Sequence, residues 1–145
     1  MSIESKTWDA QGFSIIFGAH ALRGFPEGTK IKIPVTAGWS KKVGVDGDFT
    51  RVKLHDKSAE IEVYINAASS MNDILSSIAN QDDDPLTPAV YPFRLVDRFG
   101  TTLHTASKAY ISKRPDVEIG QEPGANTWVI TVADLKTRHG GSRNM

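Results

Sequence analysis

Apolar and polar residues alternate most cleanly between Phe49 and Asn66, and a helical period takes over at Met71. In FTRVKLH (49–55), Val52 and Leu54 share one face, with Arg51, Lys53 and His55 on the other. In AEIEVYIN (59–66), Ile61, Val63 and Ile65 stand opposite Glu60, Glu62 and Tyr64. A period of two marks half-buried strands. His55–Ser58 reads as a turn, so the two segments are predicted to pair as an antiparallel hairpin. That pairing sets Arg51 and Lys53 on the same face as Glu60 and Glu62. Cross-strand opposite charges contribute roughly 0.2–1 kcal/mol each and help fix register.

The next segment predicts a helix over SSMNDILSSIA. Ser69 or Ser70 is a good N-cap, and Asp73 faces the positive end of the helix dipole. Met71, Ile74, Leu75 and Ile78 fall at i, i+3, i+4 and i+7, a single apolar stripe. So short a helix is marginal alone, so it must pack on a sheet.

Elsewhere the pattern is plainer. Phe13–Phe17 reads as a first strand, His20–Gly28 as a turn region, and Thr29–Val35 as an alternating strand placed at an edge by Pro34. Thr36–Asp48 reads as a long loop with three glycines, yet it holds Trp39 and Val43. Gln81–Pro88 ends the helix, and four further strands are predicted at Tyr91–Asp97, Thr101–Ala106, Ala109–Lys113 and Thr127–Val132. Pro115–Asn126 reads as a second loop, and Gly140-Gly141 opens a polar tail. About eight strands and one flanking helix make the fold class mostly β, a barrel or sandwich.

At 145 residues the chain predicts one domain, 1–145, with an N-terminal arm (1–12) and a C-terminal tail (136–145). A chain this long buries roughly 68–70% of its unfolded surface, enough for a core without staples. It has no cysteine, which excludes disulfides, thiolate metal sites and a cysteine nucleophile. Seventeen basic and seventeen acidic side chains give zero formal charge, unlike the basic excess of a phosphate-gripping protein. No signal-peptide pattern and no apolar run of roughly 20 residues is present, so no membrane insertion is expected.

Candidate chemistry is sparse. Asp82, Asp83 and Asp84 lack the alternate spacing and glycine of a calcium loop. His20, His55, His104 and His139 show no ligand spacing, and no serine stands in a nucleophile elbow. GFPEGTK (24–30) has the wrong spacing for a phosphate loop and is followed by a strand. No catalytic residue, metal ligand or cofactor site is therefore assigned. Trp128 opens a strand and is expected in the core, whereas Trp8 and Trp39 are interface candidates. The tail residues Lys136, Arg138, His139 and Arg143 read as a solvated end or a contact arm.

Six segments run in order between Gly44 and Gly141: GDFTRV (47–52), DKS (56–58), SSMNDILS (69–76), VDRFGTT (96–102), AYI (109–111) with Pro115, and Trp128 with its strand. In these the chain resembles the tail tube proteins of contractile-tailed bacteriophages. The resemblance implies a virion structural protein, built from hexameric rings stacked into an inner tail tube and assembled in the host cytoplasm. It implies the tail sheath, tape measure, baseplate and tail terminator proteins as partners, and transient, non-specific passage of DNA at ejection. Type VI secretion tubes are similar in architecture. The residues expected at assembly interfaces are Trp8, Trp39, Lys41, Lys42, Val43, Asp46 and Arg138. Arg51, Lys53, Glu60 and Glu62 are expected at the lumen or a subunit joint. A baseplate or tube-initiator protein of the same fold is the nearest alternative. A monomeric binding module would call for clustered aromatics, but Tyr64, Tyr91 and Tyr110 do not pair at i, i+2.

Overall fold

The computed structural model describes residues 13–26, 31–98 and 100–141. Within them lie β1 (Phe13–Phe17), β2 (His20–Ala21), β3 (Trp39–Val43), β4 (Phe49–Lys53), β5 (Ala59–Asn66), α1 (Met71–Asp82), β6 (Tyr91–Asp97), β7 (Leu103–Lys113), β8 (Ala125–Val132) and β9 (Leu135–Arg138). The main sheet is antiparallel and runs β2-β1-β6-β7-β8-β5, with β9 also on β7. It curls into a half-barrel, as the mostly β pattern predicts.

Each main strand sends one face inward. Ile61, Val63 and Ile65 of β5 are buried, and across the pair Val63 faces Trp128 and Ile61 faces Ile130. Phe93 and Leu95 of β6 and Ile15 and Phe17 of β1 continue the same core. Helix α1 completes it with Met71, Leu75, Ile78 and Ala79, while Ile74 packs at the margin. Burying the three large side chains contributes about 4.5–9 kcal/mol gross before entropy is subtracted. Trp128 lies in the core as expected. Ser70 is the N-cap residue, but the Ser69 hydroxyl accepts from the Met71 amide, at 3.2 Å.

Several local readings change. The predicted 49–66 hairpin does not form. β4 pairs with β3, in a separate two-stranded sheet, and β5 pairs with β8 along its whole length. Arg51 and Lys53 therefore do not meet Glu60 and Glu62 across a ladder. The reason is burial. The apolar row of β5 needs a partner with an apolar row, and β8 supplies one. Every residue of β4 is exposed. The Thr36–Asp48 loop contains β3, because Gly44–Asp48 closes a tight turn. The Gly44 amide donates to the Asp48 carbonyl at 2.7 Å, and Gly47 adopts φ 88°, a conformation suited to glycine.

Ile31–Val35 is not a strand; Pro34 lacks a donor, and only Ile33 of this stretch packs on the core. Residues 29 and 30 lie outside the described residues. The predicted pair Thr101–Ala106 and Ala109–Lys113 is one strand with a bulge. Phe93 pairs with Ala106 but Tyr91 with Ala109, so one extra residue is accommodated near Ser107 and Lys108. The bulge also carries β7 from β9 to β8 as its neighbour. The expected tail loses its first part to β9. Lys136 and Arg138 sit in that strand, Leu135 is buried, and the Thr101 amide donates to the Gly141 carbonyl at 3.1 Å.

Candidate assembly surface

The β3–β4 hairpin has a two-sided chemistry set by its register. Trp39 pairs with Lys53, Lys41 with Arg51, and Val43 with Phe49, so all six share one face. Ser40, Lys42, Thr50 and Val52 form the other. The first face joins three cations to three large apolar side chains and has no acid. It is open to solvent: Trp39 is 50% exposed, Val43 64% and Phe49 64%. The Arg51 guanidinium lies over the Trp39 ring, 3.9 Å from its centroid. That cation–π contact holds both side chains in place. The Leu54 amide donates to the Gly38 carbonyl at 2.9 Å and ties the hairpin's base. Asp46 caps the turn, and the Asp48 amide N–H holds its carboxyl below the usual carboxylate range.

A second surface was not singled out from the sequence. Residues 114–124 leave β7 and arch beside the outer face of β5 and β8. They enclose a groove of about 390 Å³, lined by Glu62, Arg114, Glu118, Ile119, Thr127 and Val129 among others. The loop carries Asp116, Glu118 and Glu122, and its Val117 and Ile119 are 91% and 92% exposed. The signal was present as two apolar residues alternating with acids between Pro115 and Gly120. Arg114 anchors the loop's start to the helix end, donating to Asp83 at 2.8 Å and Asn80 at 3.0 Å.

The remaining candidates spread out. Glu60 and Glu62 project from β5, and the Tyr64 hydroxyl donates to Glu62 at 2.8 Å. That bond and the Glu62 charge push the Tyr64 hydroxyl's pKa up. Arg138 is exposed on β9. Trp8 lies outside the described residues, as does the N-terminal arm. The three aspartates have local duties: Asp82 accepts from the Ala89 amide, Asp83 pairs with Arg114, and Asp84 accepts from the Leu86 amide. Among the described residues no group of three His, Asp or Glu side chains could hold a metal ion. No described helix is long and apolar enough to cross a membrane.

His104 is buried and its ring meets that of His139 edge-on, 5.0 Å between centroids. Burial, with the neighbouring His139 charge, pushes the His104 pKa down. Asn72 is the other polar centre. Its Nδ2 donates to the carbonyls of Asn66 (2.9 Å) and Ser69 (3.0 Å), and its Oδ1 accepts from Trp128 Nε1 (3.0 Å) and Asn126 Nδ2 (3.2 Å). It locks the helix start to both β5 and β8.

The fold as a whole is similar to that of solved proteins. The tube-terminating cap of the anti-feeding prophage superposes with TM-score 0.56 at 8% identity, over 95% of this chain and 94% of that one. The sheath/tube terminator of an extracellular contractile injection system, PVC, gives 0.54 at 12% identity, over 93% and 99%. A chain of that system's sheath-tube complex gives 0.48 at 11% identity, over 92% and 88%, too distant to support an inference. At these identities the likeness is one of fold. No protein-family model matches the sequence, and no curated protein does.

Proposed function

We propose that this chain is a non-catalytic structural subunit of a contractile tail or tail-like injection system. It forms hexameric rings on the tube axis. In the first form of this reading, rings stack into the inner tube, inside the sheath and around the tape measure protein, and DNA passes through at ejection. The observation that supports it is the fold shared end to end with the cap and terminator subunits. The tube-like segment order in the sequence and the exposed apolar hairpin support it further. Zero net charge suits a lumen that must let DNA slide, since phosphate gripping needs a basic excess. A terminal ring is the second reading, favoured because both of those subunits close a tube rather than extend it.

Negative-stain microscopy of the purified protein tests the reading. Long hollow tubes support the stacked form, isolated rings the terminal form, and monomers at high concentration refute both. The hairpin is the assembly element to remove. Replacing Trp39–Lys53 with Asn-Gly keeps the Gly38–Leu54 hydrogen bond as the closing bond of a two-residue turn. The expected product is a folded monomer that forms no rings. Normal rings or tubes from that variant would refute the hairpin's role.

A further inference from the structure

The hairpin and the 114–124 groove complement each other in charge and in polarity. One hairpin face carries Lys41, Arg51 and Lys53 with Trp39, Val43 and Phe49. The loop from Pro115 to Gly124 carries Asp116, Glu118 and Glu122 with Val117 and Ile119, and no Lys or Arg. Asp116 reaches Lys113 at 4.0 Å, and among the described residues neither Glu118 nor Glu122 pairs with a cation. The groove lining adds Glu62, Lys113 and Arg114, but Arg114 is taken up by Asp83 and Lys113 by Asp116, so Glu62, Glu118 and Glu122 are left to set its charge. No hairpin residue lines the groove of its own chain. Both surfaces leave large apolar side chains in water, and burying them is worth more than any rim charge pair.

We propose that the basic apolar face of the β3–β4 hairpin docks into the acidic 114–124 groove of a second copy of this chain. The proposal rests on the ring-forming reading and names the contact that closes the ring. The two surfaces differ, so the contact is head-to-tail, and such contacts close into rings when the rotation between copies permits. Strands of five residues reach about 17 Å, enough to lie across a neighbour. Arg51, stacked on Trp39, enters already oriented, which lowers the entropy lost on docking. Opposed charges set the register and favour this face, with three cations, over the other, which carries only Lys42.

Charge exchange tests this. The hairpin variant is Lys41→Glu with Arg51→Glu, and the loop variant is Glu118→Lys with Glu122→Lys. Sedimentation velocity should show the ring-forming concentration of each raised about tenfold or more. An equimolar mixture should recover rings, because each variant's hairpin then meets an opposite groove. A chain carrying all four changes should also recover. Far-UV circular dichroism checks that each variant is folded. In this cysteine-free chain, Val43→Cys with Ile119→Cys gives a second readout that needs no charge change. Oxidation should produce a ladder of disulfide-linked oligomers, where either change alone stops at dimers. Rings that form as readily in both charge-reversal variants as in the wild type, or a double-cysteine chain with no ladder, overturn the contact and leave the ring reading intact. Duplex DNA retained by the wild type and lost by the hairpin variant, with assembly unchanged, assigns the basic face to nucleic acid instead. A monomeric wild type refutes the ring reading and this contact together.

Discussion

Replacing Asn72 with alanine removes the polar centre that joins the helix to two strands. Trp128 is 2% exposed, and its indole N–H donates to Asn72 Oδ1. Without that acceptor a buried donor is left unpaired, which costs about 1–3 kcal/mol. The Asn126 amide and the Asn66 and Ser69 carbonyls lose partners too, but they border solvent and recover part of the loss from water. Together these losses come to about 2.5–4 kcal/mol, since each ordinary hydrogen bond nets only about 0.5–1.5. Alanine is the better helix former and returns about 0.5 kcal/mol. The net loss is about 2–3.5 kcal/mol, a large share of a domain's 5–15 or so. Urea unfolding followed by far-UV circular dichroism reads it. The midpoint should fall by about 1 M or more with the slope unchanged. A double-mutant cycle isolates the indole. In a Trp128→Phe background the donor is gone, so Asn72→Ala should cost at least about 1 kcal/mol less. A loss below about 0.5 kcal/mol, or no coupling to Trp128, would refute the argument.

Two further predictions concern the same molecule. Gly24 has φ 81°, and a Cβ there would collide with the Ser69 hydroxyl that accepts from the Met71 amide. Gly24→Ala should cost about 1–2 kcal/mol from backbone strain alone, read as a lowered Tm; an unchanged Tm would show that the turn relaxes freely. His104 is buried and its pKa is lowered, so the unfolded chain binds the proton more readily. Its contribution is fully present above the unfolded value, about 6.5, and is lost as pH falls from there through the lowered folded value. Urea midpoints from pH 7.5 down to about 5 should therefore drop more steeply in the wild type than in His104→Leu; parallel curves would rule out this source of acid sensitivity.

Much of the fold is legible in the sequence. β1, β5, β6, β8 and α1 all have one buried row each, and local periodicity reports such a row directly. β4 was legible as a strand, but its partner was not. The β7 bulge was visible only as a broken alternation at Ser107 and Lys108, which read as a gap between two strands. β9 was hidden in a polar tail because only Leu135 of its four residues is buried. For the candidate site, Trp39 and Val43 stood out as apolar residues in a supposed loop. Their common face with Phe49 and Arg51 needed the register. Asn72 gave no periodic signal; the clue was a core tryptophan whose indole N–H requires an acceptor.

The sequence by itself determined which residues must leave water and the period at which they recur, and so the strands, the helix and the mostly β class. Tertiary structure decided who pairs with whom. Backbone hydrogen bonds are the same for every strand and cannot choose a partner. The choice falls to side chains that must share one core, and β5 joined β8 because Ile61, Val63 and Ile65 could be buried there with Ile130 and Trp128. The 49–53 strand had no such row to bury. It was left to fold back on Trp39–Val43, with its basic and aromatic face turned to solvent.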